Sequence, residues 1–253
     1  MQKGLEAIEA LEALKAFEAN IPKRVNSAED YKASVEKLNN APSCEGTGNS
    51  DVYAVACTTS GEHRGGLIQA QMEANARYIY DYFNELGWSK EAICGMLGNM
   101  QWESGSINPC TWQSWNNTGY GAGYGLVQWT PSKYAPKQFL QWADLDAEGA
   151  NNLAENDPKQ LMDKQLKFLL INLKSAGSQQ ERDAYGNAWI KTTGYSSPYK
   201  MTVSEFVKSD KNSGELALVF HGSFERSADA PGSTALKKRV EYANKWYDFF
   251  SKS

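Results

Sequence analysis

Long apolar runs are missing from this chain of 253 residues. The longest, Val52 to Cys57, is far short of the ~20 residues that a helix needs to cross a bilayer. An excess of positive charge is missing too. Lys and Arg number 26 against 30 Asp and Glu, a net charge of −4, which argues against a nucleic-acid partner, because phosphate binding needs a basic face. Histidine is almost absent, with only His63 and His221. The four cysteines form no C-x-x-C pair, and neither zinc-ligand nor calcium-loop spacing occurs. No metal and no organic cofactor is expected. The opening Met1-Gln2-Lys3-Gly4 leads into Ala, Glu and Leu without the apolar core of a secretion signal.

What is present is enough for one sizeable core and a smaller segment: 41% hydrophobic and 12% aromatic residues exclude a wholly disordered chain. The even number of cysteines reads as two disulfides and an extracytoplasmic location, on a virion tail or a bacterial surface, with any signal or anchor lying upstream of this chain. Four cysteines allow three pairings. The expected one joins Cys94 to Cys110 and leaves Cys44 with Cys57; the first bridge would contribute about 3 kcal/mol by closing its loop.

Three stretches differ in composition. Residues 1–40 carry Leu5, Ile8, Leu11, Leu14 and Phe17, then Tyr31, Val35 and Leu38, and read as two helices forming a spacer or hairpin. Residues 41–66, rich in Asn, Gly, Ser, Thr and Pro, read as a loop-rich linker. Residues 67–253 read as a mainly helical domain. Met72, Ala76, Ile79, Phe83 and Leu86 form one apolar face, with Gly87 at its end. Ser89 is a fit N-cap for a helix bearing Ile93, Met96, Leu97 and Met100. Asp157-Pro158 opens another, and two more follow, the last from Leu236 to Phe250. Residues 105–135 are irregular or contain short strands.

Glu103 is the informative residue. Steps of three and four from Ile93 reach Met100 and then Glu103, so a carboxylate continues the buried face. It also lies at a helix C-terminus, just before Gly105. Apolar surroundings and the helix dipole both disfavour its charge there, as a general acid working near neutral pH requires. Five of the eight tryptophans (Trp102, Trp112, Trp115, Trp129 and Trp142) follow within residues 102–142. Flat rings with a polar edge suit a cleft that grips sugars. Asp144 and Glu225 are the candidates for a second carboxylate, and the simplest role for Glu225 is an ion pair with Arg226.

Two segments carry a resemblance: Asn99-Met100-Gln101-Trp102-Glu103-Ser104-Gly105-Ser106-Ile107-Asn108-Pro109 and, after it, Gly123-Tyr124-Gly125-Leu126-Val127-Gln128-Trp129-Thr130-Pro131. In that order they resemble the phage tail lysozyme family, and more distantly goose-type lysozymes and lytic transglycosylases. The resemblance runs from Gln71 to Phe250 and includes Tyr78-Ile79-Tyr80, Phe224-Glu225-Arg226 and Ala243-Asn244-Lys245-Trp246-Tyr247. It implies a two-lobed, lysozyme-like helical domain with a short β or loop region, preceded here by the N-terminal helical segment. It implies that Glu103 protonates a glycosidic oxygen of the peptidoglycan glycan strand. Gln101, Trp112, Tyr124, Gln128, Trp129, Phe224 and Glu225 are then the expected sugar-binding residues. Peptidoglycan is the expected substrate, and tail or secretion-apparatus proteins the expected partners of residues 1–66. A non-catalytic wall-binding or structural component is the alternative. Residues 1–66 match no part of the family, and nothing in these 253 residues resembles the peptidase domain that many relatives carry.

Overall fold

The computed structural model describes residues 51–59, 66–113, 123–130 and 139–252. The chain divides into two units, Met1–Ala41 and Pro42–Ser253, and all described residues belong to the second. The two helices expected within residues 1–40 lie outside the described residues, as do Trp115 and Cys44.

The described domain is helical, as expected. In chain order it contains β1 (Cys57–Thr58), α1 (Gln69–Glu85), α2 (Lys90–Ser104), β2 (Thr111–Trp112), α3 (Phe139–Ala143), α4 (Ala147–Asn156), α5 (Pro158–Asn172), α6 (Gln179–Tyr185), α7 (Val203–Val207), α8 (Ser213–Phe220) and α9 (Thr234–Ser251). Local chemistry sets the ends. Ser89 accepts a hydrogen bond from Ala92 N at the start of α2, and Asp157 caps α5 with Pro158 in its first turn. Gly87 and Gly105 hold φ of 74° and 75° beyond the ends of α1 and α2, a conformation that glycine adopts without steric cost.

Helix α2 is the axis of the domain. Its residues from Ala92 to Met100 are all buried, and α1, α8 and α9 surround it. Two glycines allow this crowding. A Cβ on Gly95 would lie 2.9 Å from the α8 backbone, and one on Gly98 would lie 2.5 Å from the carbonyl oxygen of Arg239 on α9. Asn99 ties α2 to α8 and α9, donating to Gly95 O at 3.0 Å and Ala217 O at 2.9 Å and accepting from Arg239.

Two apolar clusters form the core. The larger gathers Ile79, Phe83, Leu97, Leu166, Leu169 and Phe220 among others. The second gathers Ala54, Cys110, Trp112, Tyr124, Phe139, Leu140 and Phe168. The second cluster absorbs most of the aromatic run: Trp112 lies on Tyr124 with ring centroids 4.2 Å apart, Tyr124 and Trp129 stack on Phe139, and Trp142 meets Phe168.

Residues 51–59 belong to this domain instead of linking to it. Val52, Ala54 and Cys57 are buried, and β1 pairs in parallel with β2. The disulfide expected between Cys94 and Cys110 does not form. Both are free, buried thiols, and they sit in different clusters, Cys94 in the larger and Cys110 in the second. Cys110 donates to Asn151 Oδ1 at 3.3 Å, and burial pushes its thiol up to about 12. The other expected pair includes Cys44 and so lies outside the described residues. Among the described residues no helix is long and apolar enough to cross a membrane.

Candidate active site

The last turn of α2 opens on a cleft of about 870 Å³. One wall is the end of α2 (Gln101 to Ser106), Glu225, Ser227 and Tyr242; the other is Thr58, Thr59, Gln113, Gly123, Gln128 and Thr130. Glu103 is part of the first wall, with 18% of its side chain exposed.

The loop that ends α2 is held by short polar side chains. Ser104 Oγ donates to Met100 O at 2.6 Å, and Ser106 Oγ accepts from Leu67 N at 2.9 Å. Asn75 donates to Ile107 O, and Asn108 exchanges bonds with the backbone of Val55 and accepts from Cys110 N. Ile107 is fully buried yet holds a φ of 53°. This is a strained conformation for a β-branched residue, and its surroundings must enforce it. The Glu-Ser-Gly-Ser-Ile-Asn segment is therefore mostly scaffold, built to end the helix sharply beside Glu103.

The facing wall is a tight turn. Tyr124 bridges both Trp112 and Trp129, and Gly125 holds a φ of 82° over the side chain of Gln165. Gln165, fully buried on α5, accepts from Leu126 N at 3.0 Å and donates to Pro109 O at 2.6 Å. It thereby fastens this turn to the loop after α2. The Gln128 carboxamide donates to Thr111 O and Gly125 O, both at 3.0 Å. The group it can offer to a ligand is therefore its acceptor oxygen.

Behind Glu103 stands Arg239, from α9, with 1% exposure. Its Nη2 donates to Glu103 Oε1 at 2.5 Å and its Nη1 to Asn99 Oδ1 at 3.0 Å. Asp229 Oδ2 lies 3.7 Å from the same Nη2 and accepts the Ser227 hydroxyl at 2.6 Å. His221 reaches Ser227 Oγ at 2.7 Å through Nε2 and Tyr195 O at 3.1 Å through Nδ1. Burial, and then the charge of Arg239, lower the basicity of this histidine.

Glu225 enters the cleft from an unusual piece of backbone. After α8 the chain widens into a π-turn, His221–Glu225, with Arg226 N donating to His221 O at 2.7 Å. Such turns recur at functional sites. Arg226 does not pair with Glu225 as expected: its guanidinium donates to Ala188 O and Ser223 O. Glu225 Oε1 is shielded from solvent and has no hydrogen-bond partner. Burial, then the charge of Glu103, push this carboxyl well above the usual range.

Of the expected sugar-binding residues, Gln101, Gln128 and Glu225 line the cleft with Glu103. Trp112 and Tyr124 lie in the core at 0% and 1% exposure, and Phe224, at 7%, packs on Phe220. Trp129 is half-buried and donates its indole N–H to Asn172. Among the described residues Trp102 is the tryptophan that lines the cleft, with 36% of its surface exposed and the Arg239 guanidinium 5.9 Å from its ring centre. Asp144, at the end of α3, does not line the cleft. Sequence reasoning missed Arg239, Gln165 and Tyr242.

A helix-end carboxylate and a glutamine held on a tight turn thus line one open cleft. Family comparison matches residues 74–250 to phage tail lysozyme. The chain belongs to the phage tail lysozyme family. Morphogenesis protein 1 of Bacillus phage B103 is 38% identical over 176 residues, which cover 70% of this chain and 40% of that protein. The chain thus spans well under half the length of this curated relative. The matched segment of the lysozyme domain takes in α2, the facing turn, the π-turn and most of α9.

Proposed function

We propose that this protein cleaves the glycan strand of peptidoglycan, with Glu103 as the general acid that protonates the glycosidic oxygen. The observation that carries the reading is the position of Glu103 in a sugar-sized cleft, held from behind by Arg239. A carboxyl fixed in this way can meet a bound glycosidic oxygen without first searching for its orientation. Gln101 and Gln128 line the cleft with it. The free acceptor of Gln128 suits an N-acetyl N–H, and the exposed face of Trp102 suits the apolar face of a sugar ring. Family membership and the phage relative support a role on a virion tail, outside the cytoplasm, where the wall must be opened locally. One observation favours a second reading, a wall-binding or structural tail component: the relative carries the name morphogenesis protein and not that of an enzyme.

Digestion of purified wall separates the two. The wild-type chain should release muropeptides identifiable by mass spectrometry, and Glu103→Gln should release at least 100-fold less. The reducing end or anhydro end of the fragments names the bond and the mode of cleavage. Wall binding by both proteins with no release from either would leave the structural reading in its place.

A further inference from the structure

Glu103 meets a guanidinium at 2.5 Å, an environment that suits a carboxylate, whereas a general acid must hold a proton when the bond breaks. The cleft contains a second carboxyl on which that proton can reside. We propose, building on the glycosidase reading, that Glu225 is the second catalytic carboxyl and that it shares a single proton with Glu103.

The groups facing Glu225 argue for this. Glu103 lines the cleft from α2, and Arg239 stands behind it on α9. Arg226, its neighbour in the chain, is committed to the carbonyls of Ala188 and Ser223. Arg239 is committed to Glu103 and Asn99, with Asp229 beside it. His221 and Ser227 are engaged with each other, and Ser227 with Asp229. The charges of Arg239 and Arg226 pull the Glu225 carboxyl the other way, but neither guanidinium is hydrogen-bonded to it, and its Oε1 has no hydrogen-bond partner. Two ionised carboxyls would then line one cleft with the Arg239 guanidinium bonded to only one of them, so the other keeps its proton. Burial and the charge of Glu103 act on Glu225 in that same direction. Pairs of carboxyls whose surroundings differ in this way divide acid and base work between them.

The resting state is therefore Glu225 protonated and Glu103 ionised against Arg239. When a glycan fills the cleft, the proton passes from Glu225 to Glu103, and Glu103 delivers it to the glycosidic oxygen. The C1–O bond breaks, with its electron pair going to the leaving sugar. An incoming hydroxyl, from water or from the sugar itself, forms the new bond at C1. Its proton passes to the Glu225 carboxylate. The pair returns to its resting state with no proton gained or lost.

The test uses Glu225→Gln in the full chain, with wall digestion measured as a function of pH. Glutamine has the shape and neutrality of the protonated side chain, so the fold and the affinity for glycan should be kept. Binding can be followed by the fluorescence of Trp102 on titration with a chitooligosaccharide. The expected result is a fall in kcat of at least 100-fold, with KM within about threefold of wild type. The pH profile should change as well, because one titrating carboxyl has left the cleft. A kcat within threefold of wild type and an unchanged pH profile would overturn the proposal. Glu225→Asp is the second variant, and it decides the matter should the glutamine variant not fold. It should keep a bell-shaped profile at reduced height, and loss of the bell would count against the shared proton. These outcomes are separable from failure of the glycosidase reading, in which the wild type itself releases no fragments or Glu103→Gln releases as many.

Discussion

Arg239 shows how much of this cleft depends on one buried side chain. Its guanidinium joins α9 to α2 through Asn99 and orients Glu103 from the side away from substrate. Removing a partner from a buried ion pair leaves an uncompensated charge, at a typical cost of about 3–5 kcal/mol. Arg239→Met should therefore lower unfolding stability by roughly that amount in urea titrations. Arg239→Lys keeps the charge but not the two-pronged donor; it should destabilise less while still lowering the rate of wall digestion. Equal stability of the methionine variant and the wild type would show that the pair contributes nothing net. None of this could be read from the sequence. Lys237-Lys238-Arg239 looks like the solvated edge of an amphipathic helix, and only the packing of α9 on α2 shows that the third of these is buried.

Among the elements, α2 was the most legible. Its cap at Ser89, its apolar steps and its end before Gly105 could all be read, because each rests on contacts within one turn of the helix. The aromatic segment was legible in kind but not in placement. Trp112 and Tyr124 have the chemistry of a sugar platform, yet they fill the core beneath the Gly125 turn, while Trp102, one residue before Glu103, faces the cleft. Periodicity cannot assign a side in a stretch without regular structure. The closeness of α2 to α9 gives a test at this scale. A methyl group on Gly98 would meet the backbone carbonyl of Arg239, which cannot move without the whole helix. Gly98→Ala should cost about 1–3 kcal/mol by overpacking, seen as a lower melting temperature. It should also reduce wall digestion by displacing Arg239 from Glu103. Unaltered melting would mean that the helices separate without penalty.

For the molecule as a whole, the matching segment begins at residue 74, but the folded domain reaches further back. Val52 packs into the larger cluster and Ala54 into the second, and β1 pairs with β2, all from residues that composition alone reads as linker. A short strand in a polar segment has no periodicity to announce it; its partner β2 lies more than fifty residues away in the chain. Truncation tests the boundary. A chain starting at residue 51 should keep wild-type wall digestion and melting. One starting at residue 67 loses β1 and the burial of Val52, worth about 1.5–3 kcal/mol for that side chain alone, and should melt at a lower temperature. Identical melting of the two would return residues 51–59 to the linker.

The thiols of Cys94 and Cys110 carry a consequence for the life history of the protein. Both are sealed in apolar surroundings and neither is cross-linked. The helix bearing Glu103 and the loop that follows it therefore mature without any oxidising step. This half of the cleft can be completed wherever the chain is synthesised, in a reducing or an oxidising medium, and it needs no chemical maturation on moving from one to the other.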